Sequence, residues 1–225
     1  AVRLAPPLSD EAGHRLISTG IDKCAATFAT VYLQVTRGVA PQRQHEYYES
    51  PPTVFLMVSE APKLARQEIT PLSVITLEDF RWARGDIKSI SLVASGLLRN
   101  EAIAQGANDA ILIRDGFVTE ATASNVFVVK DGTIATPPRS EFLLHGITRD
   151  HVIQAAREGG LTVEERPISR QELDAADEIF VTSTGQEAWP VGRLNGSVVG
   201  NGEGGVIWKQ VDDLFQAMKA RLIQE

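Results

Sequence analysis

Six lysines stand at positions 23, 63, 88, 130, 209 and 219, and one of them is placed unlike the rest. Lys23, Lys209 and Lys219 read as members of charged helix faces, Lys63 as part of a linker and Lys130 as part of a turn. Lys88 lies in Asp86-Ile87-Lys88-Ser89-Ile90-Ser91-Leu92-Val93, next to apolar residues, where a strand should pass into a helix. An ammonium group taken out of water loses its charge, because desolvation disfavours the ionised form. The neutral amine can then attack an aldehyde and form a Schiff base. The plain alternative is a structural lysine paired with Asp86, and spacing alone leaves both readings open. Other chemistries are less well served. No Cys or His spacing matches a metal site. No serine, histidine and acid can be picked out as a triad.

The elements that must position Lys88 follow from periodicity and punctuation. Ser9 before Asp10 and Glu11 predicts a helix start. That helix runs to about Cys24, with Leu16, Ile17, Ile21 and Cys24 as its apolar stripe. Residues 29–36 and 53–59 read as strands, with a polar, proline-bearing loop at 39–52 between them. Residues 60–63 are the linker candidate, which predicts a first domain over 1–62 and a second over 63–225. Further strands are predicted at 72–78, 109–114, 117–122, 125–130, 133–137, 161–168 and 178–183. Helices are predicted at 89–104, at 148–158 with Thr148 as N-cap, briefly between the last two strands, and at 207–223. The last has Ile207, Val211, Leu214, Met218 and Leu222 at helical spacing. Asp131-Gly132 marks a hairpin turn. Together these make a mixed α/β chain with much antiparallel pairing.

Composition narrows the partners. With 43% hydrophobic and 23% charged residues over 225 positions, the chain is ordinary globular material. A net charge of -7 argues mildly against nucleic acid and anionic membranes. No apolar run approaches the roughly 18 residues of a membrane helix. Cys24 is the single cysteine, so no internal disulfide can form. With no signal-peptide pattern read, a reducing cytoplasm is the expected compartment.

Four segments resemble the motifs of the fold-type IV pyridoxal-phosphate (PLP) enzymes, in that family's order and spacing. Arg84-Gly85-Asp86-Ile87-Lys88-Ser89 is similar to the catalytic segment, and residues 118–127, Val-Thr-Glu-Ala-Thr-Ala-Ser-Asn-Val-Phe, to the acidic motif. Gly146-Ile147-Thr148-Arg149 resembles the phosphate cup, and Phe180-Val181-Thr182-Ser183-Thr184 the second phosphate motif. Val35-Thr36-Arg37-Gly38 and Arg43-Gln44-His45 resemble the D-amino-acid transaminase branch in particular.

The resemblance implies a two-domain α/β (α+β) fold with a pseudo-barrel large domain, and PLP as cofactor. Lys88 would hold the cofactor as a Schiff base and later move the proton at the substrate Cα. Glu120 would meet the ring nitrogen and keep it protonated. Gly146, Ile147 and Thr148 would bind phosphate at a helix start, helped by Ser183 and Thr184. Leu144 would pack on the ring. Arg43 and His45 would trap a carboxylate, which suits the planar fork of arginine. Read without the family, Glu120 is an exposed strand glutamate, Thr148 a simple N-cap, Leu144 core, and Arg43 and His45 a solvated surface.

The function so implied is transamination between D-amino acids, such as D-alanine and D-glutamate, and 2-oxo acids, by a homodimer. The rivals on the same fold are a branched-chain L-transaminase, an (R)-amine transaminase and an aminodeoxychorismate lyase, together with a form that no longer holds PLP. Two departures stand out. The acidic motif carries Ala121-Thr122-Ala123-Ser124, where relatives often have more serines. The family's first segment is also missing before Ala1, so a longer native protein is expected, with that segment cleaved or disordered.

Overall fold

Ser9 opens the first helix as its type predicts. Its side chain accepts from the Ala12 N–H at 3.3 Å, and Asp10 and Glu11 occupy the positive first turn of α1 (Asp10–Cys24). In the computed structural model the described residues are 2–62, 64 and 69–224. They divide into two units, Ala1–Ala65 and Arg66–Glu225. The expected linker reaches Lys63, which lies outside the described residues, as does the domain boundary expected there.

In the first unit, α1 is followed by β1 (Ala29–Thr36) and β2 (Thr53–Glu60), an antiparallel pair in register from Ala29↔Glu60 to Thr36↔Thr53. Gly20 of α1 lies tight against Leu56 and Val58 of β2, which is why no larger residue fits there. Ile21, expected in the apolar stripe, is exposed.

The second unit carries β3 (Leu72–Glu78), α2 (Val93–Ala104), β4 (Asp109–Arg114), β5 (Phe117–Ala121), β6 (Asn125–Lys130) and β7 (Thr133–Thr136). Then come α3 (Ile147–Glu158), β8 (Val163–Glu165), α4 (Arg170–Asp174), β9 (Glu178–Ser183), β10 (Glu187–Leu194), β11 (Ser197–Val198) and α5 (Val206–Gln224). One curled, half-barrel sheet runs β5-β4-β3-β10-β9-β6-β7-β8, with β11 paired to β10. The β3–β4, β3–β10 and β7–β8 pairs are parallel and the others antiparallel. Asp131 and Gly132 both take positive φ, 48° and 75°, as a tight hairpin turn requires.

Alternation along the strands sends side chains to two buried faces. Phe127, Val129 and Phe180 join Val152, Ile153, Trp208, Val211 and Phe215 of α3 and α5 on one face. Val126, Val128, Ile179 and Val181 join Val74, Ile111 and Ile168 on the other. The rings of Phe127 and Phe180 stack at 4.8 Å across β6 and β9. Helix α2 covers β4 through Leu98, Ala102, Ala110 and Leu112.

Four departures from expectation have physical causes. Helix α2 begins at Val93 rather than 89, with Leu92 as an N-cap whose side chain can offer the first turn no hydrogen bond. The strand expected over 161–168 shrinks to Val163–Glu165, and Pro167 follows closely. Strand β10 was not foreseen, and it holds Pro190 and Gly192, residue types that weaken a strand pattern. Pairing of β10 to β3 begins only at Val191, so Pro190 sits where no ladder to that neighbour is needed. Finally, β4 and β5 slip register between Ile111↔Ala121 and Ile113↔Val118, which makes a bulge of Thr119 and Glu120 opposite Leu112.

Candidate active site

The bulge aims Glu120. An extra residue bends a strand and re-directs its side chains, and here the Glu120 side chain meets polar partners on both oxygens while only 6% exposed. Arg81 Nη1 donates to Oε1 at 2.5 Å. The Leu144 N–H donates to Oε2 at 3.0 Å and Asn125 Nδ2 at 3.3 Å. Burial pushes the Glu120 carboxyl above its ordinary value, and the Arg81 guanidinium and the Leu144 amide pull it back. Arg81 stays charged at any working pH, so the Glu120 carboxyl faces a fixed positive charge.

Arg81 is itself gripped from behind. Its Nε and Nη2 donate to the two oxygens of Asp79, each at 2.9 Å. Thr119 Oγ1 donates to Asp79 at 2.8 Å, and Arg114 approaches it to 3.3 Å. Burial would raise the Asp79 carboxyl, yet Arg81 and Thr119 outweigh it and hold it below the ordinary value.

Segment 137–146 collects the other candidates. Asn125 Nδ2 donates to the Leu144 carbonyl at 2.8 Å, and a Cβ on Gly146 would overlap Asn125 Oδ1. Gly146 is the N-cap of α3, with extended backbone and no side-chain hydrogen bond to the first turn. Thr148 was expected to cap this helix but lies inside its first turn. The amides of Ile147, Thr148 and Arg149 therefore point out of the helix start without an intrahelical acceptor. Arg149 is fully buried beneath them, donating to the Pro137 carbonyl at 2.8 Å and to Glu165 at 3.0 Å. Leu144 is half-buried.

Lys88 sits in the long loop between β3 and α2, and its side chain is exposed, not sheltered as its apolar neighbours implied. The pairing with Asp86 does not form. Arg84 takes both Asp86 oxygens at 2.9 Å each, and lowers that carboxyl's affinity for a proton. The loop is tied to segment 137–146 just before Lys88. A Cβ on Gly85 would meet the Phe142 backbone at 2.7 Å, and the Asp86 N–H reaches the Glu141 carbonyl at 3.4 Å. Arg81 Nη2 adds a bond to the Phe142 carbonyl at 3.2 Å.

Strand β9 brings the remaining hydroxyls. Thr182 pairs with Asn125 in the ladder, and its buried Oγ1 has no partner among the described residues. Ser183 is half-buried and Thr184 exposed in the turn that follows. Arg43 and His45 stand in the first unit, both exposed on the loop after β1. Of two hollows of about 300 and 290 Å³, one is lined by Val128, Arg166 and Ser169, and the other, behind Asp79, by Arg114, Thr119 and Phe142. Neither includes a candidate residue.

The structure thus brings together Glu120, Leu144, Gly146, Ile147 and Thr148, with Ser183 one residue beyond the strand pairing that holds Asn125. Sequence reasoning missed Asp79 and Arg81, and left Asn125 without a role. The Asp79-X-Arg81 spacing just ahead of the Lys88 segment was the available signal for the first two.

The donor set fits PLP. A buried carboxylate with two oxygens can accept from a ring N–H, an uncapped helix start can meet a phosphate, and an exposed amine stands on a tethered loop. Among the described residues no cluster of His, Cys, Asp and Glu could hold a metal ion, and no helix is long and apolar enough to cross a membrane.

Comparison with known proteins points the same way. A family model described as amino-transferase class IV matches residues 1–194. A D-alanine aminotransferase of Bacillus licheniformis is 42% identical over 187 residues, covering 83% of this chain and 66% of that protein. One from Listeria innocua is 37% identical over 217 residues, covering 95% and 75%. The chain therefore spans about two thirds to three quarters of these curated relatives. Among solved structures, a PLP-bound aminotransferase from Brucella abortus superposes with a TM-score of 0.83 at 25% identity, over 96% of this chain and 77% of that one. The branched-chain amino acid aminotransferase of Escherichia coli gives 0.80 at 26%, over 96% and 74%.

Proposed function

The chain belongs to the class IV aminotransferase family, and on that premise we propose that it transfers amino groups between D-amino acids and 2-oxo acids with PLP. The observation that carries this reading is the Glu120 carboxylate, bonded on both oxygens and set beside the uncapped start of α3. The names of the relatives support D-amino acids as the substrate class. They favour it over the branched-chain, (R)-amine and cofactor-free alternatives.

PLP, when bound, supplies an aldehyde for amines and a ring that withdraws electrons. Lys88 Nζ is the amine that holds the cofactor and afterwards takes the proton from the substrate Cα. Glu120 holds a proton at the ring nitrogen by accepting it in a hydrogen bond. Ile147 and Thr148 give amide N–H groups to the phosphate, Gly146 keeps the approach to them open, and Ser183 and Thr184 add donors. Leu144 packs on the ring and excludes water from it. Arg43 and His45 bind the substrate carboxylate. The working form is a homodimer acting in the cytoplasm.

A donor comparison tests the reading. With holoenzyme and a common 2-oxo acid, D-alanine should outpace L-leucine and (R)-1-phenylethylamine. Preference for either of the other two overturns the D-amino-acid assignment, and light scattering at the monomer mass would remove the dimer.

A further inference from the structure

We propose that Arg81 is a positioning residue for the reaction, braced by Asp79 so that its guanidinium fixes the Glu120 carboxylate in one orientation for the cofactor ring. This rests on the reading of Glu120 given above.

The guanidinium has a fixed fork of donors. Asp79 occupies Nε and Nη2 bidentately, which leaves Nη1 for Glu120 Oε1. The direction of that last bond is therefore set from behind, by a carboxylate whose own side chain is wholly buried. Through Nη2 the same guanidinium also touches the Phe142 carbonyl, so one group joins the Lys88 loop, the acidic strand and the segment leading into α3.

Charge balance argues in the same direction. The charged groups facing Glu120 are Arg81 and Asp79 from the loop after β3, with Arg114 of β4 behind them. From β6 comes neutral Asn125, and from segment 137–146 only the Leu144 amide. Arg114 reaches Asp79 but makes no contact with Glu120 among the described residues. Without Arg81, Glu120 would lose its cationic partner on Oε1 and keep only the Leu144 and Asn125 bonds on Oε2. A buried charge robbed of its partner is strongly disfavoured. A lysine at 81 would restore charge but not the fork.

The test uses holoenzyme with Arg81→Gln, Arg81→Lys, Asp79→Asn, Glu120→Gln and the Arg81→Gln/Glu120→Gln pair. Three quantities are read: borohydride labelling of Lys88, the visible absorbance of bound PLP against pH, and kcat and KM for D-alanine. Arg81→Gln should keep the Lys88 label yet move the absorbance profile in the same direction as Glu120→Gln. Its kcat should fall roughly 10- to 100-fold with KM nearly unchanged, the size expected of misplacement rather than lost binding. Arg81→Lys should recover part of this. The double variant should fall within about threefold of Glu120→Gln alone, because the two act as one unit.

An unmoved spectrum in Arg81→Gln beside a moved one in Glu120→Gln overturns the proposal, and so do losses that multiply in the double variant. A spectrum unmoved by Glu120→Gln defeats the reading of Glu120 itself, and the proposal with it. If Arg81→Gln does not fold, Asp79→Asn decides, since it removes the brace and leaves Arg81 in place. A profile identical to the parent's then counts against the proposal.

Discussion

Gly146 and Asn125 are packed so closely that a single added carbon on the glycine would overlap the asparagine oxygen. The same asparagine bonds the Leu144 carbonyl and Glu120. One contact thus sets the spacing between the carboxylate end of the site and its helix-start end.

Gly146→Ala should therefore loosen the site. Its φ of -68° suits alanine, so the strain is one of space and not of backbone. Overpacking of this kind costs about 1–3 kcal/mol. PLP affinity, followed by quenching of tryptophan fluorescence, should drop by about tenfold, the equivalent of roughly 1.4 kcal/mol. Unchanged affinity would show that Asn125 yields freely.

Lys88 is exposed and bonded to nothing among the described residues, so its removal should spare the fold. Lys88→Ala should unfold in urea within about 0.5 kcal/mol of the parent. Turnover should fall by at least roughly 100-fold, since proton transfer by a positioned group contributes that much or more. Borohydride reduction of PLP-loaded protein should label the parent at Lys88. Label recovered on another lysine would reassign the amine.

Arg149 and Glu165 set up an ordering of stabilities. Arg149 is wholly buried, and loss of Glu165 would leave it only Asp150, at 3.3 Å, as an anion. Glu165→Ala should cost about 2–4 kcal/mol in urea unfolding, and Arg149→Met should cost less, because the apolar replacement strands no buried charge. The reverse order would mean that Arg149 works mainly through packing.

Two carboxylates should leave opposite marks on the acid limb. Asp79 is held below 3.8, so its stabilisation is present above that pH and is lost as pH falls through the folded value. Glu120 is raised above 4.5, so its contribution is present below that pH and is lost as pH rises through the folded value. Asp79→Asn should flatten the loss of stability below about pH 4, and Glu120→Gln should not. Urea midpoints from pH 7 to 2.5 would reveal either pattern, and a parallel limb in Asp79→Asn would contradict the first.

Period and turn chemistry were enough to bring β1, β3, β4, β6, β9 and α1 into view, since each has a distinct alternation or cap and a clean stop. Strand β10 escaped because its place depends on which neighbour needs its amides, a tertiary fact that Pro190 disguises. Within the site, Glu120 and the α3 start were legible through motif resemblance. The exposure of Lys88 was not, because apolar neighbours in sequence, Ile87 and Ile90, do not enclose it in space. Arg81 and Asp79 were passed over for a related reason: their Asp-X-Arg spacing is a weak signal alone, and only the fold buries the pair.

The slip between β4 and β5 has a further reach. One surplus residue in that strand acts as a phase change, so that the count of residues, more than their identity, decides whether position 120 looks inward or away. Shortening the strand by one would swap the roles of Thr119 and Glu120 while leaving composition almost untouched. The length of this strand, and not only its sequence, therefore decides which face of the sheet carries the carboxylate.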